Sequence, residues 1–591
     1  MSAEKLITDH IDIWTSAVQA KSASGRGSGK KRELYGIKKL RELILELAVR
    51  GKLVPQDPND EPASVLLERI AAEKAQLVKD KEIPKTKPLP AISPDDIPDD
   101  PPTGWSMVRL GEIVTKMGSG STPRGGQKAY VDDGVIFLRS QNVWNEGVRL
   151  DDVAYISDEV HQKMSNTKVL PGDVLLNITG ASLGRTTIFP SDFVEANVNQ
   201  HVTIIRLIEL EMNKFVHLGL MSPMVQKLVW GRQVGMAIEG LSKKVLEQFE
   251  FPIPPINEQH RIVAKVDELM ALCDQLEQQT EASLDAHQVL VETLLETLTN
   301  SKDATELMAN WTRISEHFDT LFTTEQSIDQ LKQTILQLAV MGKLVPQDPN
   351  DEPAAKLLER IAEEKAQLVK EKKIKKQKAL PPIAEDEKPF ELPNGWEWCR
   401  LGSLFSFLNG FAFKSDWFTE QGVKLLRNIN IAHSETKWSD LACVSDELAK
   451  EYEKFSLNAG DIVISLDRPI INTGLKYAVI EEADLPCLLL QRVAKFSSYC
   501  ASVNSSYLSN WLESYLFISS IDPGRSNGVP HISTKQLEML PFPLPPKKQQ
   551  IKTVSVVDEM IFLCDQLKQR LRDSQQTQLQ LTDAIVEQAI V

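Results

Sequence analysis

The residues of this chain that could do chemistry lie in short polar loops, not in a catalytic motif. The sequence has no phosphate-binding G-x-x-x-x-G-K-[ST], no H-E-x-x-H and no G-x-G-x-x-G after a strand. It also lacks the Asn-Pro-Pro-aromatic tetrapeptide that marks amino-methyltransferases. The loops instead combine Arg and Lys with Asn, Gln, Ser and Thr. Arg bonds bidentately to guanine, Asn and Gln bond to adenine, and Ser and Thr hold phosphates, so such loops could read DNA.

The candidate loops form matched pairs in the two halves of the chain. GSGSTPR, LRSQNV, NITGASLGR and GRQVG in the first half correspond to NGFAFKS, LRNINI, SLDRPIINTGLK and GRSNG in the second. A single Arg or Asn in a surface loop is more often solvated than functional, and loop glycines often serve only the turn. The recurrence of these loops in both halves favours recognition. The predicted DNA-contacting residues are Ser121, Thr122, Arg124, Arg139, Gln141, Asn142, Thr179, Arg185, Arg232 and Gln233, and then Lys414, Arg427, Asn428, Asn430, Arg468, Lys476, Arg525 and Asn527.

Other polar residues have ordinary structural interpretations. The adjacent carboxylates Asp132-Asp133 and Asp151-Asp152 stand in turn-like contexts, where solvated turn residues are far commoner than a general acid and base pair. The 6 cysteines are scattered without a C-x-x-C pair, which predicts reduced thiols and no zinc site. His287 is predicted to be a polar residue of a helical seam, not a metal ligand. We therefore expect neither a catalytic residue nor a metal site in this chain.

The chain is a tandem duplication. The segment GKLVPQDPNDEPA begins at Gly51 and returns unchanged at Gly342, an offset of 291 residues (342 − 51). Around it, Leu40–Ile83 aligns without gaps on Leu331–Ile374 with 34 of 44 positions identical. Two copies are too few for a solenoid, whose repeats are also much shorter. Nearly copied helical segments beside divergent loops indicate a constant scaffold that carries variable tips.

The duplication also predicts the domain organisation. Short β-rich runs in the globular parts, such as VIFLRS and DIVIS, predict mixed α/β domains. Pro-rich stretches mark the linkers. The predicted segments are an N-terminal helical region with its linker at 1–103, a first globular domain at 104–255, a central helical spacer with its linker at 256–394, a second globular domain at 395–546, and a C-terminal helical spacer at 547–591.

Each half ends in a long helix with an apolar seam at heptad spacing. Both seams become polar in the middle, at Thr280, Ser283 and His287 in one helix and at Ser574 and Gln578 in the other. The matching weak points favour an antiparallel pair of helices that lie along each other. The alternative is two separate amphipathic helices, each packed on its own domain. The predicted seam residues are Val266, Leu269, Cys273, Leu276, Leu290 and Leu294, and then Val557, Met560, Cys564, Leu567, Leu571, Leu581 and Ile585.

The formal net charge of −15 does not exclude a DNA-binding face. Lys and Arg number 15 against 16 acidic residues in 104–255, and 13 against 17 in 395–546. Most of the acidic excess therefore falls on the helices and linkers. Attraction to phosphate depends on local clusters of Lys and Arg, so a modest basic patch remains compatible with these totals.

The length and composition indicate a multidomain protein of the cytosol. At 591 residues the chain exceeds the size of one core. No apolar run approaches the roughly 20 residues that a membrane helix requires. The start, MSAEKLITDHIDIW, lacks the basic and apolar regions of a signal peptide. We expect cytoplasmic localisation and no membrane partner.

The arrangement closely resembles the specificity subunit of type I restriction-modification enzymes. The resemblance covers essentially the whole chain and rests on the order of several motifs. They are G-W-x-x-x-x-L-G after Gly104 and Gly395, a glycine-aspartate strand start, and F-P-[IL]-P-P leading into a helix that contains Gln259 or Gln549. The repeated GKLVPQDPNDEPA resembles the longer branch of that family, in which an N-terminal segment duplicates part of the central spacer. Trp105 and Trp396 are interpreted as core anchors where the globular domains begin.

The resemblance implies a non-catalytic subunit with two target-recognition domains held apart by antiparallel helical spacers. Each domain would read one half of a split, asymmetric site in double-stranded DNA. Two methyltransferase subunits would dock on the repeated segments, and restriction and translocase subunits would complete the complex. S-adenosylmethionine, ATP and Mg²⁺ would belong to those partners, with no cofactor in this chain. Lengthening a spacer would change the number of unread base pairs, not the bases that are read.

A second hypothesis belongs to another functional class. The duplicated helices could gather two copies of a partner in a protein-only scaffold that binds no DNA. Acidic loop tips would have favoured that interpretation. The tips carry Arg and Asn instead, which favours DNA recognition.

Overall fold

The chain folds into two compact units. The first comprises residues 1–283 and 574–591, and the second comprises residues 284–573. The computed structural model describes the whole chain except residues 1–2, 22–30, 94–96, 98–100, 234–239, 303, 472–473, 501–502, 522–523, 527–528 and 591.

The first half of the chain alternates short strands with helices and ends in a 44-residue helix. Its helices are α1 (Ala3–Asp9), α2 (Ile11–Ser16), α3 (Tyr35–Val49), α4 (Ala63–Lys79), α5 (Asp158–Lys163), α6 (Asn213–Met221), α7 (Pro223–Gly231), α8 (Lys243–Leu246) and α9 (Ile256–Thr299). Its strands are β1 (Gln19–Lys21), β2 (Lys31–Glu33), β3 (Ser106–Arg109), β4 (Val114–Ser119), β5 (Tyr130–Val131), β6 (Val135–Leu138), β7 (Val143–Trp144), β8 (Gly147–Val148), β9 (Ala154–Ile156), β10 (Lys168–Val169), β11 (Val174–Asn177), β12 (Thr186–Ile188), β13 (Ala196–Val198), β14 (Val202–Leu207) and β15 (Glu250–Ile253).

The second half has the same plan and also ends in a 44-residue helix. Its helices are α10 (Ala304–Ser315), α11 (Phe318–Leu321), α12 (Glu325–Val340), α13 (Ala354–Lys370), α14 (Leu401–Leu404), α15 (Asp446–Glu451), α16 (Ser505–Glu513), α17 (Tyr515–Ser520), α18 (Thr534–Met539) and α19 (Lys547–Ile590). Its strands are β16 (Glu397–Arg400), β17 (Phe405–Asn409), β18 (Val423–Leu426), β19 (His433–Ser434), β20 (Cys443–Val444), β21 (Ile462–Ser465), β22 (Ile470–Ile471), β23 (Gly474–Leu475), β24 (Tyr477–Val479), β25 (Cys487–Leu489), β26 (Val493–Ser498), β27 (Gly524–Ser526), β28 (Val529–His531) and β29 (Pro541–Leu544).

The two globular domains share one strand order. In the first, β12-β11-β14-β4 form one sheet and β9-β6-β13 form the middle of another. In the second, β24-β21-β26-β17 and β20-β18-β25 repeat these neighbours. The pairs β6–β13 and β18–β25 are both parallel. Each domain is closed by an antiparallel pair of its first and last strands, β3 with β15 and β16 with β29. The prediction of mixed α/β domains is confirmed.

The two long helices have equivalent surroundings in the two units. In the first unit, Arg41 of α3 pairs with Asp274 of α9 at 2.7 Å, and Tyr35 of α3 donates to Asp583 of α19 at 2.7 Å. In the second unit, α12 makes ion pairs with the first half of α19 and a hydrogen bond to the second half of α9. Each unit thus combines the first half of one long helix with the second half of the other.

Beyond the polar middle of each helix the predicted seams are only partly confirmed, because Ile585 is buried as predicted whereas Leu290 and Leu581 are not. Leu290 is 49% exposed, and Val291, Leu295 and Leu298 are buried instead. In α19, Leu581 is 45% exposed and its neighbour Thr582 is buried. A straight helix has 3.6 residues per turn, so a strict heptad drifts off the buried face over several turns. Six of the predicted positions before the middle are buried as expected, namely Val266, Leu269, Cys273, Leu276, Val557 and Cys564.

The glutamine that follows the second Pro-Pro motif is also reassigned. The side-chain amide of Gln259 donates to the Pro254 carbonyl at 2.9 Å. Gln550, not Gln549, makes the equivalent bond to Pro545, at 3.1 Å. The side chain of Gln549 instead donates to carbonyls of the repeated loop. Two adjacent glutamines made this position ambiguous in the sequence.

The repeated loop packs on the tryptophan that opens each globular domain. Gly51 has φ +68°, and a Cβ there would lie 3.1 Å from the ring of Trp105. Gly342 has φ +72°, and a Cβ there would lie 2.9 Å from Trp396. Both rings are buried. The glycine therefore serves both a left-handed turn and a close approach, and the tryptophans serve as core anchors.

The helices, His287 and the cysteines correspond to features expected from the sequence. Among the described helices, none combines the length and apolarity needed to cross a membrane. The Nε2 atom of His287 lies 2.9 Å from the Leu321 carbonyl oxygen, and no group of three potential metal ligands occurs in the described part of the chain. All six cysteines have free thiols.

Candidate nucleic-acid interface

A common hydrogen-bonded turn supports the tip of each globular domain. In the first domain, Asn142 is buried, accepts from the Arg139 backbone at 3.0 Å, and donates to the carbonyls of Arg149 and Asp152. The guanidinium of Arg139 pairs with Asp152 at 3.4 Å. This turn therefore fixes the side chains of Arg139, Asn142 and Asp152, which the sequence predicted to be on the surface.

The second domain repeats this turn. Asn430 is buried, accepts from the Arg427 backbone at 3.2 Å, and donates to the carbonyls of Lys437 and Asp440 at 2.9 Å. Arg427 pairs with the Asp440 carboxylate at 2.9 Å. The amides of Asn142 and Asn430 are therefore engaged in holding the loops and do not present a free edge to a base.

We expect Asn430→Ala to lower the free energy of unfolding by about 1–3 kcal/mol. The substitution removes the acceptor of one backbone amide and the donor to two carbonyls in a buried turn. Thermal unfolding of the purified chain measures the loss. Asn428→Ala, two residues away and not buried, serves as the control and should leave the midpoint nearly unchanged. Equal midpoints for the two variants would contradict this role.

A cation–π stack lies above the turn in the first domain. The guanidinium carbons of Arg149 and Arg185 are each 3.8 Å from the ring centroid of Trp144. Two guanidinium groups cannot share one face of the ring at that distance, so they lie on opposite faces. The indole N–H donates to the Gln141 carbonyl at 2.7 Å and fixes the ring. We call Trp144, Arg149 and Arg185 the Trp144 stack.

The positive charge of the Trp144 stack is only weakly neutralised by the protein. Arg149 lies 3.5 Å from the Glu146 carboxylate, and its side chain is 51% exposed. Among the described residues, Arg185 forms no salt bridge. Two guanidinium groups on one indole ring repel each other, and a nearby anion would relieve this repulsion. The stack is therefore suited to phosphate or to the acceptor edge of guanine.

The second domain has different chemistry at the same positions. Arg149 and Lys437 each offer a carbonyl to the buried asparagine of the turn, so they are equivalent. Arg185 and Lys476 both accept from the end of the adjoining strand, at 2.8 and 2.9 Å. The residue that corresponds to Trp144 is Ala432. The second domain therefore cannot form the stack.

A pocket occupies the tip of the second domain instead. It is lined by Asn428, Ile429, Asp467, Arg468 and Lys476. The Lys476 ammonium donates to the Asn428 carbonyl, and burial followed by repulsion from Arg468 lowers its pKa. The structure thus brings three of the predicted residues of this domain to one site.

A second matched pair of positions shows the same divergence. In the first domain the Thr179 hydroxyl lies 2.6 Å from the His201 ring. Asp467 occupies the matching place in the second domain, where its carboxylate lies 2.7 Å from His531 and 3.5 Å from Arg492. Thr179 bridges to Gly240 and Asp467 to His531 in the same way. Equivalent backbone positions therefore carry a hydroxyl beside an imidazole in one domain and a carboxylate beside an imidazole and a guanidinium in the other.

Comparison with known proteins identifies the family. A family model described as "Type I restriction modification DNA specificity domain" matches residues 102–286 and 393–574. The type I restriction enzyme EcoAI specificity subunit of Escherichia coli is 54% identical over 600 residues, covering 100% of both chains. The EcoEI specificity subunit of Escherichia coli is 43% identical over 615 residues, again covering 100% of both. This chain belongs to the family of type I restriction-modification specificity subunits.

The solved structures most useful for comparison are only distantly similar. The HsdS subunit from Thermoanaerobacter tengcongensis matches with a TM-score of 0.39 and 18% identity, covering 83% of this chain and 98% of that one. A chain of a solved type I R-M system matches with a TM-score of 0.47 and 17% identity, covering 83% of this chain and 99% of that one. The family assignment rests on the sequence relatives. It confirms the resemblance and the prediction of a non-catalytic specificity subunit.

The remaining predicted residues of the first domain of the specificity subunit fall into two groups. Ser121, Thr122 and Arg124 are exposed, and Thr122 donates to the Gln200 side chain. Gln141 is exposed and donates to the Asp152 carboxylate. Gln141 lies in the turn, whereas Ser121, Thr122 and Arg124 lie in the loop between β4 and β5, which Thr122 joins to the residue before His201.

Arg232 and Gln233 contribute differently. The Arg232 guanidinium lies 2.8 Å from the buried carboxylate of Glu250, which also pairs with buried Arg109. Gln233 donates to the Trp230 carbonyl at 3.1 Å. Arg232 thus neutralises a carboxylate at the closing strand pair of the domain. Its contact is with the base of the domain, and no described contact joins it to the Trp144 stack.

Three predicted residues of the second domain stand apart from its pocket. Lys414 is exposed, with its ammonium 5.5 Å from the centroid of Trp417. Arg525 lies in strand β27. Asn527 lies outside the described residues.

The specificity subunit places several residues at the tips that were not predicted from the sequence. Trp144, Arg149 and His201 belong to the first domain, and Arg492 and His531 to the second. The polar run NVNQH before β14 and the single QR before β26 were the available signals. Neither run matches a known sequence motif, because the residues that contact each other lie far apart in the chain and are brought together only by the fold of the sheet.

Proposed function

We propose that this specificity subunit reads a two-part, asymmetric site in double-stranded DNA, one part with each globular domain. The proposal rests on one observation. The two globular domains have the same strand order but carry different polar side chains at equivalent positions of their loops. Identical frames present their loops in the same way, and different side chains select different bases. The repeated helical segments would dock two methyltransferase subunits, and restriction and translocase subunits would join them.

The proposed contact residues in the first domain are those of the exposed loops together with the Trp144 stack. In the second domain they are those around the pocket, with Arg492 added. Asn142, Asn430, Arg139 and Arg427 hold the loops, and Arg232 supports the domain base. The proposed contact residues are Ser121, Thr122, Arg124, Gln141, Trp144, Arg149, Thr179, Arg185, Gln233, Lys414, Asn428, Arg468, Lys476, Arg492, Arg525 and Asn527.

The chemistry of methyl transfer and cleavage would reside on the partners. S-adenosylmethionine, ATP and Mg²⁺ would bind there, and the specificity subunit would work in the cytoplasm. The recognition chain would supply the target sequence and the spacing between its two parts. The proposed domain division, with globular parts at 104–255 and 395–546, follows the duplicated sequence and the closing strand pairs.

Mapping methylated adenines in the source genome with and without this chain tests the proposal. We expect methylation at one split sequence to disappear when the chain is removed. A shift assay on duplex DNA with the methyltransferase subunits present should show affinity that falls steeply with salt, by roughly 0.9 decades per decade for each phosphate contact. Unchanged methylation, or salt-independent binding, would favour the protein-only scaffold.

A further inference from the structure

The two copies of GKLVPQDPNDEPA differ in how one conserved carboxylate is satisfied. In the first copy Asp60 has a side chain that is 7% exposed. Arg261 of α9 donates to it at 2.7 Å, and Asn257 donates at 3.3 Å. In the first copy, therefore, the buried carboxylate of Asp60 has its hydrogen-bond donors within the chain.

The second copy has the same carboxylate without those donors. Asp351 has a side chain that is 3% exposed, and the residues that correspond to Asn257 and Arg261 are Lys548 and Lys552. Their ammonium groups lie 3.8 and 3.9 Å from the carboxylate oxygens, beyond hydrogen-bond reach. Oδ2 of Asp351 is buried and has no hydrogen-bond donor.

The side-chain amide of neighbouring Gln549 also lacks a hydrogen-bond donor to its oxygen. Gln549 replaces Glu258 of the first copy, whose carboxylate accepts from Gln56 at 3.2 Å. The Gln549 side chain is buried and donates to two loop carbonyls, but its Oε1 has no donor. Two buried acceptors without donors are unfavourable, so this place favours a ligand that brings N–H groups.

Both unpartnered residues line one cavity of about 220 Å³. Asp348 adds a second carboxylate to its wall, and the rest of the wall is mainly proline and glycine. The buried side-chain atoms of the wall that have no hydrogen-bond partner, Oδ2 of Asp351 and Oε1 of Gln549, are both acceptors, which favours a donor over an anion. A planar guanidinium, with five N–H donors and no acceptor, matches a carboxylate beside an amide oxygen.

We infer that this cavity of the second copy receives an arginine side chain from a docked partner subunit. The first copy needs none, because Arg261 already pairs with Asp60, the carboxylate that corresponds to Asp351. The inference rests on the proposed docking of two methyltransferase subunits. It makes their two sites unequal: one depends on a charged contact from the partner, and the other presents a carboxylate that is already paired.

The test compares full-length chains that carry Asp351→Asn or Asp60→Asn. Purified methyltransferase subunit is titrated in, with native mass spectrometry for stoichiometry and calorimetry for the two affinities. Asp351→Asn should weaken one of the two binding steps by about 10- to 100-fold, the effect of losing a charge-assisted hydrogen bond. Asp60→Asn should leave both steps within about twofold of the original, because it removes only an internal pair.

A second variant tests the cavity without removing its carboxylate. Lys552→Arg copies the first repeat and supplies a guanidinium from within, so it should weaken the same step as Asp351→Asn. Two unchanged steps in both Asp351→Asn and Lys552→Arg would overturn the inference and leave the proposed docking intact. Equal weakening by Asp60→Asn would also overturn it. Absence of any binding by the unaltered chain would overturn the proposed docking, and the inference with it.

Discussion

Replacing Trp144 by alanine is expected to lower the affinity of the assembled complex for its DNA site by about 10- to 100-fold, because two guanidinium contacts are released together. In the structure, the indole ring holds Arg149 and Arg185 at 3.8 Å on its two faces. Without the ring, each long side chain regains its rotamer freedom, and binding DNA must order it again. A shift assay at fixed salt with methyltransferase subunits present measures the change.

The controls for Trp144→Ala separate the stack from general effects. Trp230→Ala removes another exposed indole of the same domain and should change the affinity little, since that side chain is 54% exposed and outside the stack. Arg185→Lys keeps the charge but loses the planar stacking group, so it should resemble Trp144→Ala in direction. Full retention of affinity by Trp144→Ala would remove the stack from the interface.

The same variant should act on one half-site only. The second domain has Ala432 in place of Trp144, so its tip does not depend on the stack. Mapping of methylated adenines should show relaxed sequence preference in the half-site read by the first domain and an unchanged preference in the other. Equal relaxation of both half-sites would contradict the assignment of one half-site to each domain.

Glu250→Ala is expected to lower the free energy of unfolding by about 3–5 kcal/mol, because it removes the buried carboxylate with which buried Arg109 pairs. The two side chains are 5% and 7% exposed and stand opposite each other in the strand pair that closes the first domain. Arg232 loses its partner as well. Thermal or urea unfolding of the full chain measures the destabilisation.

The second domain provides the matched control for this prediction. Arg400 corresponds to Arg109, but Pro541 stands opposite it and its carboxylate partner is Glu387. The Glu387 side chain is 39% exposed, and the bond from Arg400 holds its pKa at about 2. Solvent can replace an exposed partner, so Glu387→Ala should cost clearly less than Glu250→Ala. Equal losses in the two variants would show that burial does not set the energy of the Arg109–Glu250 pair.

The contrast between Asn142 and Arg185 shows the limit of residue types as evidence. Both stand in polar loops that the sequence assigned to DNA contact. Asn142 is buried and holds a turn, whereas Arg185 is stacked on a ring 41 positions earlier in the chain. The sequence could predict the loops, because polar runs between apolar strands are local features. It could not predict which side chain forms hydrogen bonds within its own loop and which side chain stays available for DNA.

The sequence by itself determined the duplication, the alternation of helical and mixed α/β segments, the family, and the positions of the variable loops. These follow from local periodicity and from near identity at a fixed offset, which do not require knowledge of distant contacts. The tertiary structure alone decided the buried face of each long helix beyond its polar middle, the Trp144 stack, the inward asparagines and the unequal environments of Asp60 and Asp351. Each of these depends on which side chains meet across strands or helices far apart in the chain. A side chain's free hydrogen-bonding capacity is what remains after those neighbours have been satisfied.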